Sequence, residues 1–277
     1  VTSPFAVRLD RDVVRVSGPD AVKFLQGQVS QDVAGLAIGA SAWSFVLAPQ
    51  GKVDAWFRVT READDSVLLD VDAGWGPALV ARVNRFKLRV KADVEPLAWQ
   101  CISIRYVPAD ASVYSVPDGL ALAVEWFGAT GVDLLGPSVE PPSDIPVGTA
   151  LDYDLWRVAT AFPAMGHELD DTTIPAESGV VDVSVSFTKG CYTGQELVAR
   201  VDSRGNNTPR RLRRVELEQS APAGTELSID GAVVGVLTSV AGTHALAYVK
   251  RSVEPPATAT LTDAGSARIT VLERPTE

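Results

Sequence analysis

From Arg211 onward the chain carries no helical repeat. Short apolar runs, Val215 with Leu217, Leu227 with Ile229, Val233 to Val240, Ala245 to Val249 and Ala267 to Leu272, alternate with Gly, Pro and Asp turns. Strands with no long helix to cover them must bury their apolar faces against one another, so the pattern predicts a small β-barrel or sandwich over 209–277. Upstream the pattern is mixed. Val7 with Leu9 and Val14 with Val16 suggest a strand pair turning at Asp10 to Asp12. Ser17-Gly18-Pro19-Asp20 opens a helix with Ala21, Phe24, Leu25 and Val29 on one face. Strands at Ser44 to Leu47 and Val53 to Thr60 flank the turn Pro49-Gln50-Gly51-Lys52, Ser66 to Val71 adds another, and Pro77 starts a second helix. At Phe86 the period changes to two, which predicts a strand with Lys87, Arg89 and Lys91 on one basic face.

Further strands are expected at Gln100 to Tyr106, with Cys101 in apolar company, and at Leu120 to Trp126. Pro137 to Pro146 is a break in composition, and a helix with Leu151, Leu155, Trp156, Val158 and Phe162 on its apolar side then runs to Pro163. The organisation read from these signals is an α+β lobe over 1–140, a second α+β segment over 141–208 and the barrel over 209–277. The 277 residues carry 25 basic and 35 acidic side chains, a balance that repels polyphosphate and anionic lipid and so speaks against nucleic-acid or membrane partners. No apolar run approaches the roughly 20 residues of a membrane span, and the N-terminal residues lack a signal-peptide pattern. Two cysteines make no disulfide framework, and the expected compartment is the reducing cytoplasm.

The segment richest in chemistry is Lys189-Gly190-Cys191-Tyr192-Thr193-Gly194-Gln195-Glu196-Leu197-Val198-Ala199-Arg200. Thr193 with Glu196 three positions on reads as a capping box, placing Cys191 just outside the positive end of a helix and two residues from Lys189, where a thiolate is favoured. The competing reading is a small buried residue in a turn. Arg210, Arg211, Arg213 and Arg214 crowd five positions; they read first as an exposed strand edge that deters aggregation, and second as a patch for an acidic partner. His167 and His244 lie far apart without neighbouring ligands, so no metal site is expected.

This twelve-residue segment resembles the signature of the YgfZ-type folate-binding proteins, relatives of the aminomethyltransferase (T-protein) of the glycine cleavage system. Phe24-Leu25-Gln26-Gly27-Gln28-Val29-Ser30-Gln31-Asp32-Val33, Gly51-Lys52, Asn84-Arg85-Phe86-Lys87-Leu88-Arg89, Gly166-His167-Glu168-Leu169, Ile174-Pro175-Ala176-Glu177 and Gly235-Val236-Leu237-Thr238-Ser239 are similar to other parts of that family. The resemblance implies two ferredoxin-like α+β lobes in an aminomethyltransferase-type fold, followed by a β-barrel, with tetrahydrofolate or a one-carbon derivative as cofactor. It further implies Glu177 as the carboxylate that accepts the paired donors of the pterin, with Gln195, Arg200, Asn84 and Arg89 in the folate site, and Cys191 with Lys189 as the reactive group. The implied function is a folate-binding accessory protein for assembly or repair of iron–sulfur clusters in client enzymes. The alternative is a folate-dependent aminomethyl or one-carbon transferase working through Asp54. That acid stands alone where the transferases carry adjacent aspartates, which weighs against the alternative.

Overall fold

The structure, a computed structural model, describes residues 3–261 and 265–270. The expected strand residues Val271 and Leu272 lie outside that range. In chain order the strands and helices are β1 (Phe5–Leu9), β2 (Arg11–Ser17), α1 (Ala21–Gln26), β3 (Ser41–Leu47), β4 (Val53–Ala63), β5 (Ser66–Asp72), α2 (Gly76–Arg85), β6 (Asp93–Leu97), β7 (Gln100–Arg105), β8 (Leu120–Trp126) and β9 (Ala129–Gly136). Then follow α3 (Ala150–Ala159), α4 (Val181–Ser184), α5 (Gln195–Ser203), β10 (Arg210–Leu217), β11 (Glu226–Ile229), β12 (Ala232–Ala241), β13 (His244–Lys250), β14 (Ala257–Leu261) and β15 (Gly265–Thr270). The α+β class followed by an all-β C-terminal end is what the patterning predicts, and of barrel and sandwich the strands form the closed barrel that the resemblance implies.

Two compact units form, each from separated stretches of chain: residues 1–9, 100–168 and 208–277 in one, and 10–99 with 169–207 in the other. Strand pairing does this grouping. β1 pairs antiparallel with β7, Leu9 opposite Cys101, whereas β2 lies between β5 and β6. The expected pairing of β1 with β2 across Asp10 to Asp12 is therefore wrong: the two strands enter different sheets. Pro137 to Pro146 joins β9 to α3 inside the first unit, so it marks a loop between layers and not a change of unit.

The first unit holds an antiparallel sheet in the order β1-β7-β9-β8 and a six-stranded closed barrel, β10-β13-β12-β11-β14-β15. Ala6, Ile102, Ile104, Val132 and Leu134 pack one face of the sheet. Barrel closure needs a tightly filled interior, and Val215, Leu217, Leu227, Leu237, Ala247 and Ile269 supply it. β10 pairs with β13 from Arg210 to Glu216 and with β15 only from Arg214 to Leu217, so of the four arginines Arg214 alone has a strand on each side among the described residues. A continuous basic stretch cannot reveal which of its residues gains a second neighbour from far along the chain.

Thr149 caps α3 in a reciprocal box with Asp152, and the helix lays Val158 against Leu212, Leu246 and Tyr248 on the barrel's outer surface. Its Leu151, assigned to the apolar side by spacing, is exposed, because the box leaves the first turn beyond the packed stripe. The join is sealed by a buried ion pair. Arg157 donates to Glu168 Oε2 at 3.0 Å and to Ser239 Oγ at 2.9 Å, while Thr238 and Ser239 hydroxyls donate to Glu168 Oε1 at 2.8 and 2.5 Å. Tyr248 Oη donates to the Glu168 carbonyl at 2.7 Å.

In the second unit the sheet order is β3-β4-β5-β2-β6, and α1 and α2 bury Phe24, Leu25, Leu79 and Val83. The predicted strand over Phe86 to Lys91 is absent. These residues form a loop in which Arg89 has φ of +56°, Leu88 is 83% exposed and Phe86 stacks on the Arg82 guanidinium at 4.3 Å. Alternation signals a strand only where a partner buries one side, and none covers Leu88.

Breaking a buried, multiply bonded ion pair leaves an uncompensated charge. Glu168→Gln is therefore expected to lower the unfolding free energy by about 3–5 kcal/mol, read as a shift of the denaturant midpoint at unchanged slope.

Candidate functional site

The segment 169–207 returns to the second unit and is stitched to the strands and turn that precede it. Val53 N–H donates to the Thr173 carbonyl at 3.1 Å, and Ser186 N–H to the Ser30 carbonyl at 3.0 Å. Ser30 Oγ donates to the Ser184 carbonyl at 2.6 Å and accepts from Phe45 N–H at 2.8 Å. Trp56 Nε1–H donates to Ser184 Oγ at 2.9 Å. Small hydroxyls thus bind the segment to β3, β4 and the turn after α1.

Lys189 is the next fastening. Its Nζ donates to the main-chain carbonyls of Gln26, Val29 and Gln31 at 2.6, 2.6 and 2.9 Å, and lies 5.1 Å from the centre of the Tyr192 ring. An ammonium has three donors, and all three are committed. Burial pushes the ammonium down to about 8 from an ordinary 10.5, with the charge of Asp32 opposing the shift. The buried Tyr192 phenol is pushed up to about 12. Lys189, expected with the thiol in the reactive group, is bonded through its ammonium to the turn after α1.

The other end of the segment is locked by shape. Gly194, at φ of +81°, is the N-cap of α5 and makes no side-chain cap bond. A methyl group at Gly194 would stand 2.6 Å from the Ala48 carbonyl oxygen and 2.7 Å from Leu47 Cβ. One at Gly51, φ +82°, would stand 2.4 Å from Leu197 Cβ. The β3–β4 turn and the start of α5 therefore interlock through two glycines. The expected capping box is corrected accordingly: the helix begins at Gln195, not Thr193, because close approach to the turn demands a left-handed residue at position 194. Gln195 takes over part of the capping, its Oε1 accepting from Tyr192 N–H at 3.2 Å.

Between these two anchors Cys191 is exposed, whereas Cys101 is buried in β7. Glu177 closes the 3-10 turn Pro175–Glu177, which packs against α5; the residue is 4% exposed and its Oε2 accepts from Ile174 N–H at 3.4 Å. Glu177, Lys189, Cys191 and Gln195 all lie in the 169–207 stretch of the second unit, and the turn that ends at Glu177 packs against α5, which Gln195 opens. Arg200 is exposed in the last turn of α5, and Asn84 and Arg89 are exposed at and beyond the end of α2; no hydrogen bond joins these three side chains to Glu177, Lys189, Cys191 or Gln195 among the described residues. Asp54 accepts from Arg82 Nε at 3.0 Å beside a cavity of about 300 Å³ walled by Val46, Ala55, Leu79 and Arg85. Arg82 also donates to the Leu47 carbonyl at 2.8 Å. Sequence reasoning missed the three carbonyls and the glycine interlock. The glycines at least stood in the text, but a main-chain carbonyl carries no side-chain signal.

This arrangement belongs to a protein of the aminomethyltransferase fold. The crystal structure of glycine cleavage system aminomethyltransferase T from Bartonella henselae matches 98% of this chain and 86% of that one, with a TM-score of 0.80 at 19% identity. Residues 210–274 match the family described as CAF17, C-terminal beta-barrel domain. The chain is 31% identical over 245 residues to the mitochondrial iron-sulfur cluster assembly factor IBA57 of Mus musculus, covering 78% of this chain and 67% of that protein. To the tRNA-modifying protein YgfZ of Photobacterium profundum it is 27% identical over 216 residues, 72% of this chain and 65% of that one. It spans about two thirds of the length of these relatives. The chain belongs to the YgfZ and IBA57 family. No helix among the described residues is long and apolar enough to cross a membrane.

Two outcomes follow from this geometry. Gly194→Ala, forced into a left-handed conformation against Leu47 and Ala48, is expected to cost about 2 kcal/mol or more and to raise amide exchange across 188–196 in hydrogen-exchange measurements. For Lys189, a folded value of about 8 against 10.5 unfolded means the unfolded chain binds more protons between those values. Its contribution to stability therefore rises as pH climbs through that window and is lost as pH falls back through about 8. Subtracting the pH dependence of unfolding of Lys189→Met from that of the wild type is expected to leave a positive slope there.

Proposed function

We propose that this protein is a tetrahydrofolate-binding accessory factor for the assembly or repair of iron–sulfur clusters in client enzymes, with Cys191 as its working group. The observation that carries the reading is the exposed Cys191 thiol held between two structural anchors, the Lys189 ammonium and the Gly194 interlock. An exposed sulfur on a fixed loop can take part in thiol exchange or offer one ligand to a metal centre. The family relationship supports the cluster role, since one relative is named as a cluster assembly factor. A conventional cluster takes four thiolates; the chain has two cysteines, one of them buried. Cys191 therefore acts with ligands from a client, and the cluster is cargo.

The name tRNA-modifying protein carried by YgfZ relatives fits the same reading if a modifying enzyme is the client. An excess of ten acidic over basic side chains disfavours direct RNA contact.

The residues also fit a reduced folate. A pterin edge presents two adjacent donors, and a desolvated carboxylate on a short rigid turn, as Glu177 is, accepts both. Arg200, Asn84 and Arg89 would meet the polar and carboxylate-bearing remainder, and Gln195 holds the loop alongside. The bound folate would supply one-carbon or reducing chemistry; the chain would supply the carboxylate that orients it and the Cys191 thiol. The transferase alternative requires Asp54 as the acid at the reacting nitrogen, and that carboxylate is engaged by Arg82.

Titration with tetrahydrofolate is expected to give saturable binding that Glu177→Gln weakens about tenfold or more, roughly 1.4 kcal/mol, at a temperature where the variant is fully folded. Absence of saturation by the wild type overturns the folate assignment. In a deletion strain, Cys191→Ser should fail to restore iron–sulfur enzyme activity while Asp54→Ala restores it. The reverse result, with methylenetetrahydrofolate released from an aminomethyl donor, establishes the transferase.

A further inference from the structure

The surroundings of the Lys189 ammonium are those proteins otherwise build for a free univalent cation. Three main-chain carbonyls converge on one point at 2.6, 2.6 and 2.9 Å, and carbonyl oxygens so arranged replace a hydration shell. The Tyr192 ring lies across the same point, and Asp32 adds negative charge nearby. The carbonyls all belong to the end of α1 and the turn after it, which is braced without the lysine. Val29 N–H donates to the Leu25 carbonyl at 3.1 Å, Gln26 Nε2 to Asp32 Oδ1 at 2.8 Å, and Asp32 N–H to Gln31 Oε1 at 3.0 Å. Ser30 within it is bonded to Ser184 and Phe45. A turn held by its own bonds is organised ahead of its occupant.

We propose that this turn is a socket for a univalent cation, that the Lys189 ammonium is its tethered occupant and thereby the positioning residue for Cys191, and that free potassium or ammonium ion takes its place when the side chain is cut back. A cation in the socket still faces the Tyr192 ring, 5.1 Å from the lysine's nitrogen, and through that ring it holds the loop when the lysine's hydrocarbon stem is gone. Lys189 sits two residues before Cys191, so an empty socket releases the thiol's backbone at one of its two anchors. The inference deepens the reading of Cys191 as the working group. Its test uses neither folate nor a cluster, so the socket and the proposed function can fail independently.

The test is the rate at which Cys191 reacts with an aromatic disulfide reagent in the full chain, Cys101 being buried, in chloride salts of potassium, ammonium, lithium and choline at about 0.15 M. Lys189→Ala in choline is expected to differ from wild type by about threefold or more. Potassium and ammonium should bring the rate back toward wild type, and lithium, which holds its water, should not. Lys189→Met, whose neutral stem blocks the approach, should stay displaced in every salt. An alanine variant indifferent to the cation, or a methionine variant that behaves as wild type, overturns the proposal. The unaltered protein gives a second reading that survives any folding defect in the variants. By NMR, the Lys189 ammonium protons should exchange with water about tenfold more slowly than those of exposed lysines, and exchange at the same rate as those lysines overturns the socket.

Discussion

A positive charge withdrawn from water must be met by oxygen, and the ammonium of Lys189 meets three carbonyls of the turn after α1. That contact ties the loop that carries Cys191 to the rest of the second unit. It fixes the approach to Cys191 from the N-terminal side, while the Gly51 and Gly194 interlock fixes the exit. The spacing of the motif then has a physical meaning: a lysine, a free glycine, an exposed thiol, a buried tyrosine under the ammonium, and a left-handed glycine that must touch the turn. A thiol between two tied points stays exposed without becoming disordered.

The first unit uses the same device in another place. Glu168, at the end of the stretch that joins α3 to the crossing point, is buried with Arg157 and three hydroxyls from the barrel. Burying such a pair costs solvation, and the cost is offset only because nearly every lone pair and proton has a partner. Each unit therefore ties distant stretches of its chain through a bonded charge: Lys189 holds 169–207 to the turn after α1, and Glu168 holds α3 to the barrel.

Much of the fold was legible. The turn at Pro49 to Lys52, the start of α2 near Pro77, β8, the buried Cys101 and the barrel all follow from local periodicity and turn chemistry, and the structure has them. The failures share a cause. The basic alternation at 86–91 lacks a covering partner, β10 gains a second neighbour from distant residues only from Arg214 on, and β1 leaves its sequence neighbour β2 for β7. Each of these is decided by pairing between residues far apart in the chain, which local pattern does not encode. The capping box failed in the same way, since the left-handed backbone at Gly194 is imposed by Leu47 and Ala48.

The amino-acid sequence alone determined that the C-terminal end is all-β, that the 189–200 segment carries the family signature, and that Cys101 lies in an apolar strand, because apolar period and residue type are local properties. Only the tertiary structure decided which unit each strand joins and what Lys189 does. Its partners are main-chain carbonyls about 160 residues away, identical in every residue type, and they become a site only when the folded turn points them at one place.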